Sequence, residues 1–399
     1  MRPQLTILYK LKIALSIFLP LAILINSFLW ILYYQEIKTR KDTLQMHAVN
    51  MTNMQRVKIG SNFRLIVSDL LFFAGYKQLQ DMLDNSKLNK EPLINDLALF
   101  NRGSKIYDQI RILDTTGMEI IRIEFEEGAS VIVPKDPFQF KGNRYYFKDT
   151  FELNRREVFV SPLDLNIEHG VIEKPLKPMI RFGTPLFDKR GQKRGVLIYN
   201  YLGTNLIRNI KDMVVDSPGF YMLLNADGYW IIGRDTEDEW GFMYRDRKNR
   251  TMGNIYPAAW KKISASESGQ FYNTEGLFTF TTVYPLLESW KSSAGSGEAF
   301  EPSAKTKETR EYYWKVVSYI PKNFLIGGTN KSLSKYIYIS IMMIMLLGIG
   351  SWLLAYSKVK QNITAWELAE RTNELEQTIV AFQRKVDRFG DEIGGGFRT

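Results

Sequence analysis

The chain has 399 residues, 45% apolar and 24% charged, the balance of a folded protein long enough for two or more domains. It has no cysteine, which excludes disulfides, thiolate catalysis and cysteine-type zinc sites. The net charge of +10 is spread along the chain without an Arg/Lys tract, arguing against nucleic acid and for contact with anionic lipid beside a membrane.

In chain order, residues 1–12 form a short N-terminal segment, expected to be cytoplasmic. Residues 13–34 (IALSIFLPLAILINSFLWILYY) carry no charge and are long enough, as a helix, to cross about 30 Å of hydrocarbon. Trp30, Tyr33 and Tyr34 suit the headgroup layer at the end of that span. The rival reading is a cleaved signal peptide. The apolar run is too long for one, however, and QEIKTRKD follows where a small-residue cleavage site would stand.

Residues 35–76 lack proline and repeat apolar positions at Leu44, Val49, Met54, Val57, Ile59, Phe63, Ile66, Leu70 and Phe73. This predicts a long helix leaving the membrane with one apolar face.

Beyond it lies a region of β-branched and aromatic runs separated by Asp, Asn and Gly turns, and it contains an internal repeat. IRILDTTGMEIIRI (110–123) lies over YMLLNADGYWIIGR (221–234), Asp114 on Asn225 and Gly117 on Gly228. Each copy predicts a strand, a tight Asx–Gly turn and a returning strand. KRGVLIYNYL (193–202) and YYWKVVSYIP (312–321) then read as matching final strands. The fold class that follows is α+β, two tandem copies of one unit over residues 77–211 and 212–335. SSAGSGEAFEPSAKTKE (292–308) reads as an exposed flexible loop.

Residues 336–357 (YIYISIMMIMLLGIGSWLLAYS) form a second uncharged span. Two spans put both termini on one side and residues 35–335 on the other. Basic residues on both sides of the first span balance, so orientation rests on long loops crossing largely regardless of charge. In the tail, 358–399, Leu368, Thr372, Leu375, Ile379, Phe382, Val386, Phe389 and Ile393 alternate spacings of four and three. That heptad seam predicts a homodimeric coiled coil through Leu368, Leu375, Ile379, Phe382, Val386 and Phe389.

The layout of span, long helix, two tandem units, span and coiled coil resembles the double-Cache (double-PDC) sensor regions of bacterial transmembrane histidine kinases, diguanylate cyclases and chemoreceptors. RYYFKDTF (144–151), VFVSPLDLNIEHGVIEKPLKPMIRFGTPLFD (158–188) and KRGVLIYNYLG (193–203) resemble the membrane-distal unit of a kinase sensor subfamily. The resemblance implies a PAS-like fold in each unit, with the ligand of the distal unit lying between the sheet and the loop crossing it. In amino-acid-binding relatives an Arg, aromatic residues and an Asp converge on the ligand; Arg144, Tyr146 and Asp149 are of those types.

RYYFKDTFELNRREVFVSPLDLNIEHG (144–170) concentrates the reactive side chains. As an enzyme it would use Ser161, His169 and Asp164, but no nucleophile elbow supports that set. No His or carboxylate pair has metal-ligand spacing, and no cofactor is expected. As a binding site it has better chemistry. Arg144 or Arg181 would fork onto a carboxylate, Tyr145 or Tyr146 would wall the pocket, and Asp149 would accept from an ammonium. Were the segment a strand, its two tyrosines would face opposite sides. Ser161 and Asp164 read as turn and cap chemistry, and KPLKP (174–178) as a rigid extended crossing.

The expected function is therefore a sensor in the bacterial inner membrane. It would bind a small extracytoplasmic ligand, an amino acid or carboxylate, or a ligand-loaded periplasmic protein. The tail holds no phosphoacceptor histidine and no room for a nucleotide-binding or cyclase domain, so the output, foremost a histidine kinase, is expected beyond Thr399 or on another protein. The alternatives are the sensor of a cyclase or chemoreceptor, or a membrane-anchored interaction protein without a small ligand.

Overall fold

The computed structural model describes residues 7–394 apart from Ser86, His169, Gly170, Ser289, residues 294–305 and Gly328. It divides into two compact units, residues 41–325 and residues 1–40 with 326–399.

A single helix, α1 (Ile7–Ala74), carries the first apolar span and runs on without a break. Short helices α2 (Lys77–Asp84) and α3 (Glu91–Ser104) follow, then strands β1 (Tyr107–Asp114), β2 (Glu119–Glu126) and β3 (Ala129–Ile132). Helix α4 (Tyr145–Glu152) precedes β4 (Val158–Val160), β5 (Asp164–Leu165), β6 (Ile167–Glu168), β7 (Val171–Ile172), β8 (Pro178–Phe187) and β9 (Lys193–Leu202). Helix α5 (Gly203–Asp212) leads to β10 (Phe220–Asn225), β11 (Trp230–Ile232), α6 (Met252–Ile255), α7 (Pro257–Ala265), β12 (Ser268–Tyr272) and β13 (Gly276–Val283). Strands β14 (Trp290–Ser293), β15 (Thr306–Lys307) and β16 (Trp314–Pro321) then precede α8 (Lys322–Gly327) and the long helix α9 (Thr329–Gly394).

Among these residues the first sheet runs β15-β14-β4-β8-β9-β1-β2-β3, with β5 also on β8, and the second runs β11-β10-β16-β13-β12. The repeat is visible as topology, because β2-β1-β9-β8 in one sheet corresponds to β11-β10-β16-β13 in the other. The two Asx–Gly turns also match atom for atom. Asp114 Oδ1 accepts from the amides of Thr116 and Met118, and Asn225 Oδ1 from those of Asp227 and Tyr229. Gly117 and Gly228 both take positive φ, +90° and +83°, which the turn requires and glycine adopts without penalty.

Strand alternation gives the first sheet two unlike faces. Ile110, Ile112, Phe182 and Tyr199 pack on α1 through its buried stripe Ile59, Phe63, Ile66, Leu70 and Phe73. From Ile59 to Phe73 this is the face expected from the sequence, and the departure lies in the stretch before it. Val49, Met54 and Val57 are exposed, whereas Ala48, Thr52 and Gln55 continue the buried stripe. Thr52 satisfies its hydroxyl on the Ala48 carbonyl and Gln55 donates to the carbonyl of Ile210, so polar residues sit in the seam.

The segment 292–308 also departs from the loop reading. Ser292 and Ser293 are buried in β14, and Thr306 and Lys307 pair with them as β15. Residues 294–305 of that segment lie outside the described residues.

In the second compact unit, Ser340 bonds Asn26, while Ser332 and Tyr336 both donate to the Glu36 carboxylate, at 2.7 and 3.0 Å. These contacts tie the two apolar helices together. Both are long and apolar enough to cross a membrane.

Candidate functional site

The other face of the first sheet is polar over half its width. Register places Arg181 opposite Asn200, Asn200 opposite Gln109, and Arg111 opposite Arg122, all on one side. A chain of hydrogen bonds crosses it. Asn200 Nδ2 donates to Gln109 Oε1 at 2.9 Å, and Gln109 Nε2 to Glu124 Oε1 at 2.7 Å. Arg122 Nε reaches the same carboxylate at 2.9 Å, and the buried Glu119 lies 3.1 Å from Arg111 Nε and 3.6 Å from Arg122.

The apolar half of this face is covered by α4. YYFKDTFE is a helix, not a strand, and Tyr145, Tyr146 and Phe147 are buried against Phe159, Val196 and Ile198. Two small features let it lie close. A Cβ at Gly183 would collide with Thr150, and Thr150 turns its hydroxyl inward onto the Tyr146 carbonyl at 2.6 Å. Arg144 is the N-cap residue, so its side chain stands at the start of the helix beside the polar half.

The segment after β4 closes over the site. Asp164 and Leu165 pair with Met179 and Pro178, and Ile167–Glu168 pair with Val171–Ile172. Lys177 of the KPLKP crossing meets Asp108 at 2.7 Å and so holds this flap down. The Lys174–Pro175 peptide within the crossing is cis. Ser161 is wholly buried. Its hydroxyl accepts the Arg181 amide at 2.8 Å and donates to the Pro162 carbonyl at 2.9 Å. It is therefore committed to holding backbone. His169, the third member of the enzymatic reading, lies outside the described residues.

Arg181 is the centre of the arrangement, 5% exposed. Its Nη1 meets Asp164 Oδ1 at 3.1 Å and its Nη2 donates to Asn166 Oδ1 at 2.9 Å. Its guanidinium also lies over the Tyr146 ring, 5.3 Å from the centroid, and that of Arg144 approaches the same ring at 5.9 Å. Both geometries suit cation–π attraction. Asp149 rides the same helix one turn beyond Tyr146, half-buried and partnered. The structure thus brings together Arg144, Tyr146 and Arg181 and adds Asp164, which turn chemistry alone had assigned to scaffold.

Cations dominate the electrostatics of this face. Burial raises the Tyr146 phenol, yet Arg111, Lys141, Arg181 and Arg144 together outweigh it and hold the group below its ordinary value. Burial lowers Lys141, helped by the neighbouring Arg111 and Arg144. Burial raises Asp164 against the pull of Arg181. Sequence reasoning missed Arg111 and Lys141. The signal was there for Arg111: it and Arg122 are lone cations inside QIRIL and IIRIE, where alternation brings them to one face. Lys141 carried no such pattern; it is brought in by the hydrogen bond its backbone N–H donates to the Gly117 carbonyl, 2.7 Å, at the β1–β2 turn.

The equivalent face of the second sheet is filled instead. Phe278 and Tyr319 stack at 4.6 Å beneath Met252, Ala259 and Ile263. Its one buried cation, among the described residues of that face, is Lys315, which donates to the Ser266 carbonyl at 2.7 Å and to Thr282 Oγ1 at 2.6 Å.

The family described as bacterial histidine kinase, sensor domain, matches residues 44–289. The extracellular domain of vpHK1S-Z8, which carries the description histidine kinase, aligns with TM-score 0.60 and 19% identity, covering 74% of this chain and 98% of that one. A domain of a sensory box/GGDEF family protein from Vibrio parahaemolyticus aligns with TM-score 0.58 and 20% identity, covering 71% and 98%. The ligand-binding domain of the Pseudomonas aeruginosa amino acid chemoreceptor PctC, in complex with GABA, aligns more distantly, with TM-score 0.42 and 12% identity over 70% and 100%. No curated protein matches the chain.

Proposed function

The chain belongs to the family of bacterial histidine kinase sensor domains, and from that premise we propose that it detects a small carboxylate or amino acid outside the cell and relays the event to a kinase output. The observation that carries the ligand class is the convergence of the Arg144 and Arg181 guanidinium groups on one buried ring, Tyr146, with Arg111 and Lys141 beside them. A covered, cation-rich face is suited to a carboxylate, which guanidinium binds through paired hydrogen bonds. The aromatic filling of the equivalent face in the second half supports a relay role there.

In this reading residues 13–34 and 336–357 cross the inner membrane. Residues 77–211 are the membrane-distal sensing unit and 212–335 the proximal one, and the tail pairs with a second copy along its seam. Ligand binding would favour one of two arrangements of sheet and helices, and the signal is bounded by the difference in affinity for the two.

The test is a thermal-shift and calorimetric screen of the full chain in lipid nanodiscs against amino acids and mono- and dicarboxylates. Arg144→Ala should weaken a hit at least tenfold. Arg181→Ala paired with Asp164→Asn, which avoids stranding a buried carboxylate, should weaken it further. A ligand whose affinity survives both changes binds elsewhere.

A further inference from the structure

Strand β14 follows a strand of the second sheet in the chain but lies in the first sheet. Leaving β13, the chain crosses over and lays Trp290, Lys291 and Ser292 parallel to Val158, Phe159 and Val160 of β4. Ser292 Oγ donates to the Val160 carbonyl at 2.6 Å. On returning toward β16 the chain places Tyr312, also buried, with its hydroxyl donating to the Ser161 carbonyl at 3.1 Å. Val160 and Ser161 are the residues that lead into the flap, and Ser161 is bonded in both directions to the backbone of Arg181. Two side chains from the second half therefore hold the strand end on which the central guanidinium depends.

A second connection reaches the same place. The Tyr312 ring lies 5.9 Å from Trp314, Trp314 5.5 Å from Phe63, and Phe63 5.4 Å from Phe182, the residue after Arg181. Both connections end on residues 312–314, where β16 begins. β16 is the central strand of the second sheet, between β10 and β13, and at Pro321 it continues into α8 and the helix carrying the second span. A close-packed interior transmits displacement because it has no slack to absorb it.

We propose that the second half of the chain builds one wall of the ligand site and reads it, with Ser292 and Tyr312 as positioning residues and the Tyr312 hydroxyl as the contact through which a change at Arg181 and Asp164 reaches β16. This rests on the reading of that face as the ligand site. Without β14, β4 would be an open edge and the Val160 carbonyl would lose Ser292, and without Tyr312 the Ser161 carbonyl would lose its buried donor, a group costly to leave unsatisfied.

The test needs no ligand. Amide hydrogen exchange is followed in the full chain in lipid nanodiscs for the wild type, Asp164→Asn, Tyr312→Phe and the double variant. Asp164→Asn loosens Arg181 and should speed exchange about fivefold both in residues 158–166 and in residues 314–317 of β16, the scale of one lost hydrogen bond. In the Tyr312→Phe background the acceleration at 158–166 should remain and that at 314–317 should fall below about twofold, since only the Phe182–Phe63–Trp314 contacts are left to carry it. An equal response of β16 in both backgrounds, or no response in either, overturns the proposal. If Tyr312→Phe fails to fold, Tyr312→Met, which also lacks the hydroxyl, replaces it as the background: loss of the β16 response there supports the coupling, and an unchanged response overturns it. A failed ligand screen leaves this outcome standing, whereas a ligand hit combined with an uncoupled β16 would sink the coupling alone.

Discussion

Asp69 on α1 shows how a single carboxylate is placed at a cost. It accepts the Tyr107 hydroxyl at 2.6 Å, and burial raises it despite that bond. A raised folded-state value means that ionisation works against folding. The cost is absent below the unfolded value, about 3.9, and complete once pH exceeds the folded one. Asp69→Asn keeps an acceptor for Tyr107 and removes the charge. Its melting temperature should exceed that of the wild type at pH 7, and the two should converge as pH falls through the carboxylate range. A gap as wide at pH 3 as at pH 7 would assign the effect to packing instead. Arg181 and Asp164 add a charge partner to such a burial cost. Removing the Arg181 side chain alone strands the Asp164 carboxylate and is expected to cost about 3–5 kcal/mol, more than the pair contributes to net stability.

Elements in this protein serve more than one partner, and α1 serves most. Its Phe63 touches Phe182 of the first sheet and Trp314 of the second, both edge-on. Phe63→Ala should therefore cost about 3–5 kcal/mol, as for a large ring removed from a closed core. Because β14 and α1 join both sheets, denaturation should remain a single transition for probes in either half. Two separated transitions in the variant would mean that the halves fold independently. Helix α4 gains from its geometry in a related way. The first turn of an eight-residue helix presents Tyr145 and Tyr146 to the same buried cluster, which strand alternation would have split between two faces.

At the scale of the whole molecule the tail presents an exposed apolar seam among the described residues. Leu368, Leu375, Ile379, Phe382 and Val386 are all exposed in the single chain, Leu368 by 69%. Phe389 and Ile393, the last seam positions, lie on α9 where side chains fall outside the described residues. An apolar seam of strict heptad spacing is suited to a second copy of itself. Cysteines introduced along it should crosslink in membranes, and Ile379→Asp should reduce that crosslinking severalfold. Undiminished crosslinking would argue against the seam as the dimer contact.

Much of this architecture was legible in the residues because it depends on local pattern. Two uncharged runs, a four-three spacing in the tail and two Asx–Gly turns each report on backbone within a few residues, where chemistry and periodicity act directly. The fold class, the two spans as helices and the matched hairpins follow from them. Arg144, Tyr146 and Arg181 could be named for their chemistry, but their convergence could not be read, since it depends on α4 lying over Gly183 and on the flap crossing β8. The buried face of α1 between Ala48 and Gln55 escaped because Thr52 and Gln55 are polar and find partners only in the folded chain. Most of all, the serines at 292–293 look like loop residues in sequence. Only the tertiary structure made them a strand, because the hydrogen-bonding edge that accepts them, β4, belongs to the other half of the chain, far away in sequence.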